Sequence, residues 1–322
     1  MLAWFTRRCA QSLVVVVAMT IIVFLAVNVI GDPAEILISP DANQIERERI
    51  IAQLGLDQPL WRQYFSFLSG VVHGNFGKSF VYGTPALHVI LELMPATLEL
   101  ALAAMIFAVA IGIPLGLYAG VRPKSRLSKF IMTGSILGFS LPGFWVGLLL
   151  IMVFAVQLGW MPSGGRGQTR ELLGVQWSFV TLDGLHHMIL PALNLALFKI
   201  SLVMRLVRAE TQEIVPQDYI RTARAKGLNE ERIIRVHLLK NIMIPVITII
   251  GLEFGSLIAF SVVTETIFAW PGMGKLIIDS IHVLDRPVIV AYLMIVVLLF
   301  VFINLVVDAL YTVLDPRVRI GN

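Results

Sequence analysis

Long apolar runs separated by short clusters of charge dominate this chain. A membrane-crossing helix needs about 20 mostly apolar residues. Six stretches meet that requirement: 10–30, 96–119, 130–158, 186–207, 241–264 and 288–311. The first and third hold no charged side chain, whereas Lys199 and Arg205 interrupt the fourth. Arg7 and Arg8 precede the first run, as in a secretory signal. Its apolar core, Leu13 to Ile30, is longer than the usual 7–15 residues and no A-x-A site follows, so it reads as a retained anchor. The pattern predicts an all-α membrane protein in five segments. These are an N-terminus at 1–9, a first span at 10–30, a helical outside loop at 31–95, a membrane core at 96–312 and a tail at 313–322.

Composition sharpens this reading. The 322 residues are 57% hydrophobic and 14% charged, with a mean hydropathy of +0.83. A soluble domain carries about 25% charged residues, so disorder and a soluble globule are both excluded. The single cysteine, Cys9, rules out an intrachain disulfide. The net charge of +4 falls between the apolar runs rather than in one patch, which suits a chain surrounded by lipid. With the N-terminus inside, 17 Lys and Arg lie on the cytoplasmic side and 8 outside. Both termini are therefore expected in the cytoplasm.

Two connecting segments are too elaborate to be simple links. In the outside loop, Ser39 to Leu56 is charged and amphipathic. Asp57 is placed to cap a further helix with Pro59 in its first turn, and Trp61, Tyr64, Phe65 and Leu68 share one face. That face fits the membrane interface or an external protein. The inside segment 208–240 contains a short, firmly bounded helix, predicted over 216–228. Pro216 suits its first turn, Asp218 its positive end and Arg224 and Lys226 its last turn. Gly227 suits a left-handed cap, after which Asn229 caps a second helix led by Glu230 and Glu231. Along the fourth span Asn194, Ser201, Arg205 and Arg208 fall on one helical face. The stripe is expected to face protein or water, with Asn194 and Ser201 near a solute path. Lys199 lies about 140° from Asn194 around the helix; it either snorkels, meets a partner subunit or charges a cavity wall. Asp308, at the unfavourable end of the last span with Asn304 one turn earlier, is expected to find a cationic or hydrogen-bonding partner, against simple hydration.

Several familiar motifs fail on context. Ala223-x3-Gly227-x5-Ile233 has helix-turn-helix spacing, yet its second helix continues into the bilayer, so nucleic-acid binding is excluded. Gly77-Lys78-Ser79 ends like a phosphate loop, but Val72 stands where a glycine is required. His186 and His187 are adjacent and point about 100° apart on a helix, a poor metal pair. No nucleophile or acid–base set stands out, so the chain is expected to be no enzyme and to bind no cofactor or metal. Glycines four apart, at 112, 116 and 120, at 143 and 147, and at 251 and 255, point to close helix packing around Pro114 and Pro142.

Asp218-Tyr-Ile-Arg-Thr-Ala-Arg-Ala-Lys-Gly227-Leu, then His237-Leu-Leu-Lys-Asn241 and Pro245, resembles the cytoplasmic loop of binding-protein-dependent ABC transporter permeases. The resemblance is to the B-type permease of the dipeptide, oligopeptide and nickel branch. It extends through Gly31-Asp-Pro-Ala34, Leu54-Gly-Leu-Asp57-Gln-Pro-Leu-Trp61, Pro95-Ala-Thr-Leu-Glu-Leu100, Phe268-Ala-Trp-Pro-Gly-Met-Gly274 and Leu314-Asp-Pro-Arg317. It implies six membrane helices forming half of a heterodimeric pore. A second homologous permease subunit, two ATPase subunits carrying ATP and magnesium, and an extracytoplasmic solute-binding protein would complete the importer. It also implies that Asp218, Tyr219, Arg221, Thr222, Ala223, Arg224, Ala225, Lys226 and Gly227 form the element that couples to an ATPase. Many relatives read Glu-Ala-Ala where this chain has Arg221-Thr222-Ala223, so a contact made through that Glu does not transfer. The alternative is a stand-alone secondary transporter or channel, which would place charged or broken-helix sites at mid-membrane.

Overall fold

The computed structural model describes residues 2–29 and 57–314, with four isolated positions, 44, 45, 48 and 52, between them. The amphipathic stretch at 39–56, apart from those four, and the tail beyond Leu314 lie outside the described residues. The helices in chain order are α1 (Leu2–Val29), α2 (Leu60–Val72), α3 (Ala86–Val121), α4 (Arg126–Ser140), α5 (Gly143–Leu150), α6 (Leu182–Ile214), α7 (Asp218–Ala225), α8 (Glu230–Arg232), α9 (Leu239–Ile267), α10 (Met273–His282) and α11 (Arg286–Leu314). A π-helical turn, Ile151–Gln157, extends α5, and another, Ile233–Leu238, joins α8 to α9. A small antiparallel hairpin, β1 (Arg170–Leu172) and β2 (Val175–Trp177), interrupts this helical order, and the alternation of its sequence is too short to have announced it.

Helices α1, α3, α6, α9 and α11 each contain a run long and apolar enough to cross a membrane. The stretch read as the third span is not one straight helix. It is the pair α4 and α5, bent by 107°. The cause is local: Pro142 has no N–H and pushes Leu141 out of the helical region, to φ −79 and ψ 134. The other spans overrun their expected ends, with α3 starting at Ala86 and α6 covering Leu182–Ile214. Asp57 does not cap α2; Pro59 occupies that position, without a side-chain cap bond.

The chain divides into two compact units. The first comprises the described parts of Met1–Glu92 together with Asp279–Val301. Here the expected aromatic face of α2 is split. Trp61 and Phe65 are exposed, while the Tyr64 hydroxyl meets Thr20 Oγ1 at 2.9 Å and its ring meets Phe24 edge-on. Val23, Val290 and Met294 form a core with Phe67 and Val71 packed against it. Buried Asp285 accepts hydrogen bonds from the Ser79 hydroxyl and the Phe80 and Val81 N–H groups, so Gly77-Lys78-Ser79 serves a structural turn.

The second unit comprises Leu93–Ile278 and the described part of Phe302–Asn322. In it, the 112–116–120 glycine stripe of α3 lies against α6. A Cβ at Gly116 would sit 2.5 Å from the Met204 carbonyl oxygen, and one at Gly120 would sit 2.4 Å from Thr211 Cβ, so both positions exclude a side chain. One turn of α3 also ties down two loops. Trp270 Nε1 donates to the Ala96 carbonyl at 2.9 Å, with its ring fully buried beside Leu100, Met188 and Ala192. Thr97 Oγ1 donates to Glu265 Oε1 at 2.7 Å and accepts the Met273 N–H at 2.8 Å. The same carboxylate accepts from Ser261 Oγ and the Lys275 N–H, both at 2.9 Å. Glu99 accepts from Arg166 Nε at 2.7 Å and the Ser178 N–H at 2.9 Å. Thr97→Val, which orphans the buried Met273 N–H and removes a donor from Glu265, is expected to destabilise the fold by about 1–3 kcal/mol. Thr97→Ser should lose much less; thermal unfolding of the detergent-solubilised protein compares the two.

Candidate functional site

Two places concentrate polar groups beside an exposed surface or a cavity. The first is α7. Its N-terminus follows a turn containing Pro216, and extended Gln217 precedes Asp218, so the helix starts two residues later than expected. Asp218 opens the helix where negative charge is favoured. At the other end Gly227 takes φ +77, a conformation that a Cβ disfavours. This lets the Gly227 N–H reach the Arg224 carbonyl at 2.9 Å and the Leu228 N–H reach the Ala223 carbonyl at 3.2 Å. The Asn229 side chain then caps α8 by accepting the Glu231 N–H at 3.1 Å. Arg224 closes the turn, with Nε donating to Glu230 Oε1 at 2.6 Å and Nη2 to Oε2 at 3.3 Å. This bond holds the Glu230 carboxyl below its ordinary range and raises Arg224.

Two side chains seat α7. Ile220 and Ala223 are buried in a cluster with Val203, Val207, Ile214, Ile233, Leu238 and Ile242, contributed by α6, the second π turn and α9. Asp218, Tyr219, Arg221, Thr222, Arg224, Ala225 and Lys226 remain exposed. The Tyr219 hydroxyl accepts a hydrogen bond from Asn241 Nδ2 at 3.0 Å. The loop residues singled out from sequence thus form one outward surface on a fixed base.

The second place is a cavity of about 460 Å³, lined by Asn194 and Lys199 of α6, Ser256 and Thr264 of α9, and the rings of Phe144, Phe198 and Phe260. Lys199 finds partners within the chain. Its ammonium group pairs with Glu253 and donates to Ser256 Oγ at 2.7 Å. Ser256 in turn donates to Glu253 Oε2 at 3.0 Å. Asn194, 6% exposed, donates from Nδ2 to Thr264 Oγ1 at 3.0 Å. Its Oδ1 has no partner among the described residues. The long lysine stem brings Lys199 to the cavity despite its angular separation from Asn194.

Ser201 is not brought to this cavity. It is buried against α4, where Gly138 leaves room for its hydroxyl and Ser135 Oγ donates to its carbonyl at 3.2 Å. Arg205 stacks over the Phe139 ring, 4.3 Å from its centroid. Asp308 is half-buried in α11 and engaged with a neighbour. Glu253 and Ser256 escaped sequence reading. The signal for Glu253 was present, since it is the sole acidic residue within 241–264 and a charge inside a span demands a partner. Among the described residues no group of three or more His, Cys, Asp or Glu side chains is placed to hold a metal.

Two outcomes follow from this geometry. Lys199→Met leaves Glu253 uncompensated. The loss should fall at or below the about 3–5 kcal/mol typical of a broken buried pair, because the Glu253 side chain keeps 30% exposure. The double change Lys199→Met with Glu253→Gln should recover most of it in thermal unfolding. At the α7 turn, the lowered Glu230 carboxyl makes the bridge stabilising above the ordinary glutamate value of 4.5. That contribution is lost as pH falls through the lower folded value. Both partners are largely exposed, so the effect is about 0.2–1 kcal/mol and weakens with salt. Hydrogen exchange at Leu228, corrected for its intrinsic pH dependence, should quicken below pH 4.5 in the wild type and stay flat in Glu230→Gln.

Comparison with known proteins places this arrangement. Residues 112–320 match the family "Binding-protein-dependent transport system inner membrane component", and residues 1–101 match its N-terminal companion. The oligopeptide transport system permease AppB of Bacillus subtilis (strain 168) is 42% identical over 321 residues, covering 99% of this chain and 100% of the relative. The di/tripeptide permease DppB of Pseudomonas aeruginosa (strain UCBPP-PA14) is 39% identical, covering 99% of each. The glutathione permease GsiC of Escherichia coli (strain K12) is 38% identical, again over 99% of each. Among solved structures, an inward-facing MetNI methionine ABC transporter shares the fold at TM-score 0.54 and 17% identity, over 70% of this chain and 96% of that one. The chain belongs to the binding-protein-dependent transport family as a multi-pass membrane permease subunit of an ABC importer.

Proposed function

We propose that this chain is one of two homologous permease subunits of a peptide importer, and that α7 is its contact with a cytoplasmic ATPase subunit. Two ATPase subunits would hold ATP and magnesium, an extracytoplasmic binding protein would deliver the solute, and both termini would lie in the cytoplasm. Peptide is the solute class named for AppB and DppB, and glutathione is itself a tripeptide.

One observation carries the coupling assignment. Helix α7 is capped at its C-terminal end by a left-handed glycine, seated by buried Ile220 and Ala223 between two membrane helices, and exposed along the rest of its surface. An element of that kind transmits displacement without melting. A force on its outer face must pass to α6 and α9 through the buried cluster. The test is Gly227→Val in the assembled transporter with its binding protein, reconstituted in liposomes. A β-branched residue at φ +77 costs about 1–2 kcal/mol or more and strains the cap. ATP hydrolysis is expected to continue but to lose its stimulation by the loaded binding protein, and uptake per ATP should fall. Wild-type stimulation together with wild-type uptake would remove α7 from the coupling path.

A further inference from the structure

The turn between α3 and α4 carries positive charge that the packing of the bundle does not use. Arg122, Lys124, Arg126 and Lys129 fall within eight residues, and all four are exposed. Among the described residues none of them forms an ion pair, and the acids near the end of α6, Glu210 and Glu213, are not bridged to them. The turn itself is fixed. Ser125 Oγ caps α4 by accepting the Ser128 N–H at 3.0 Å, and Ser128 Oγ donates to the Arg122 carbonyl at 2.6 Å. The Arg122 guanidinium lies over the Tyr118 ring, 5.6 Å from its centroid. Gly120, just before the turn, lies against Thr211 and the Arg208 carbonyl, so the cations sit at the end of the bundle where α6 leads into α7. Along α4, Arg126, Lys129, Phe130, Thr133 and Leu137 recur at helical spacing on one face. The opposite face packs on α6, where Ser135 donates to the Ser201 carbonyl and Gly138 meets the Ser201 hydroxyl. Phe130 and Leu137, on the outward face, are 76% and 57% exposed. The rise from Arg126 to Leu137 is about 16 Å, close to the depth of one leaflet in a hydrocarbon core about 30 Å thick.

We propose that the outward face of α4 binds an anionic phospholipid, with its phosphate held by Arg126 and Lys129 and an acyl chain lying along Phe130 and Leu137. Arg122 and Lys124 add positive field at the headgroup. Basic clusters beside a membrane helix attract anionic headgroups, and a zwitterionic lipid gains less because it brings its own cation. A soluble acidic partner would meet the cations and leave the apolar face above them uncovered. A second membrane helix would cover that face but would have to desolvate charges that have no counter-ion. Only an anionic lipid matches both halves of the surface at the observed spacing. The site is independent of which solute the importer carries.

The test uses the assembled transporter in bilayers of phosphatidylcholine and phosphatidylglycerol, with Phe130→Trp as a local probe. The added fluorescence, over that of the six native tryptophans, is quenched by lipids brominated on the acyl chain. Comparing brominated phosphatidylglycerol with brominated phosphatidylcholine gives their relative occupancy beside α4. Phosphatidylglycerol is expected to be favoured by about fivefold or more, the scale of one lysine or arginine at an anionic surface. Adding Arg126→Gln and Lys129→Gln should lower that preference by a similar factor, whereas the charge-keeping pair Arg126→Lys and Lys129→Arg should retain it. If the glutamine pair does not assemble, Lys129→Gln alone must lower the preference. Equal quenching by the two lipids, or a preference that the glutamine substitutions leave unchanged, overturns the site. A probe quenched by neither lipid is covered by protein, which overturns it as well. Loss of the preference on adding inorganic phosphate at constant ionic strength would assign the cations to a free anion instead of a lipid.

Discussion

A polar group placed in a low-dielectric layer must find its partner within the protein. One turn of α3 shows how much of the second unit depends on meeting that demand. Ala96 supplies a carbonyl to Trp270, Thr97 a hydroxyl to Glu265 and Met273, and Glu99 a carboxylate to Arg166 and Ser178. The loops after α5 and α9 are thus tied to the same helical turn. Burying the whole Trp270 ring between α3 and α6 is possible because its single N–H is already satisfied. The motif from Pro95 to Leu100 and the motif from Phe268 to Gly274 are two halves of one joint.

Elsewhere the unit divides into tight and open contacts. Where α3 crosses α6, glycines remove the side chains that would separate the backbones, and the two helices meet as one block. Where α4 gives way to α5 at Pro142, the chain turns by 107°. Gly143 and Phe144, just past that break, line the cavity shared by α6 and α9. A straight third span would lack this corner. The cavity and the broken span are consequently parts of one feature, and the Lys199–Glu253 pair joins the two helices at its base.

What was legible in the sequence follows from the range of each interaction. The α7 turn was readable because a left-handed glycine, an Asx cap and a dipole-matched acid act within a few residues of one another. The apolar runs were readable because membrane thickness sets their length. The partners of Lys199 and Asn194 lie 54 and 70 residues away, and the Thr97–Glu265 bond spans 168. No local periodicity reports a contact of that kind. Pro142 was visible, but a proline sets only the place of a break; its angle comes from how α4 and α5 each pack on α6. Ser201 shows the limit of helical-face arithmetic, since it shares a stripe with Asn194 yet meets a different neighbour.

The way α7 is seated separates adhesion from address. Ile220 and Ala223 supply its buried anchors, with Tyr219 and Arg224 tied to Asn241 and Glu230, whereas Asp218, Arg221, Thr222, Ala225 and Lys226 contribute nothing to that core. The outward letters can therefore be rewritten without unfolding the helix beneath them. Under the proposed coupling role, transporters built on one scaffold diverge in this short outer text alone, each fitting its own ATPase subunit.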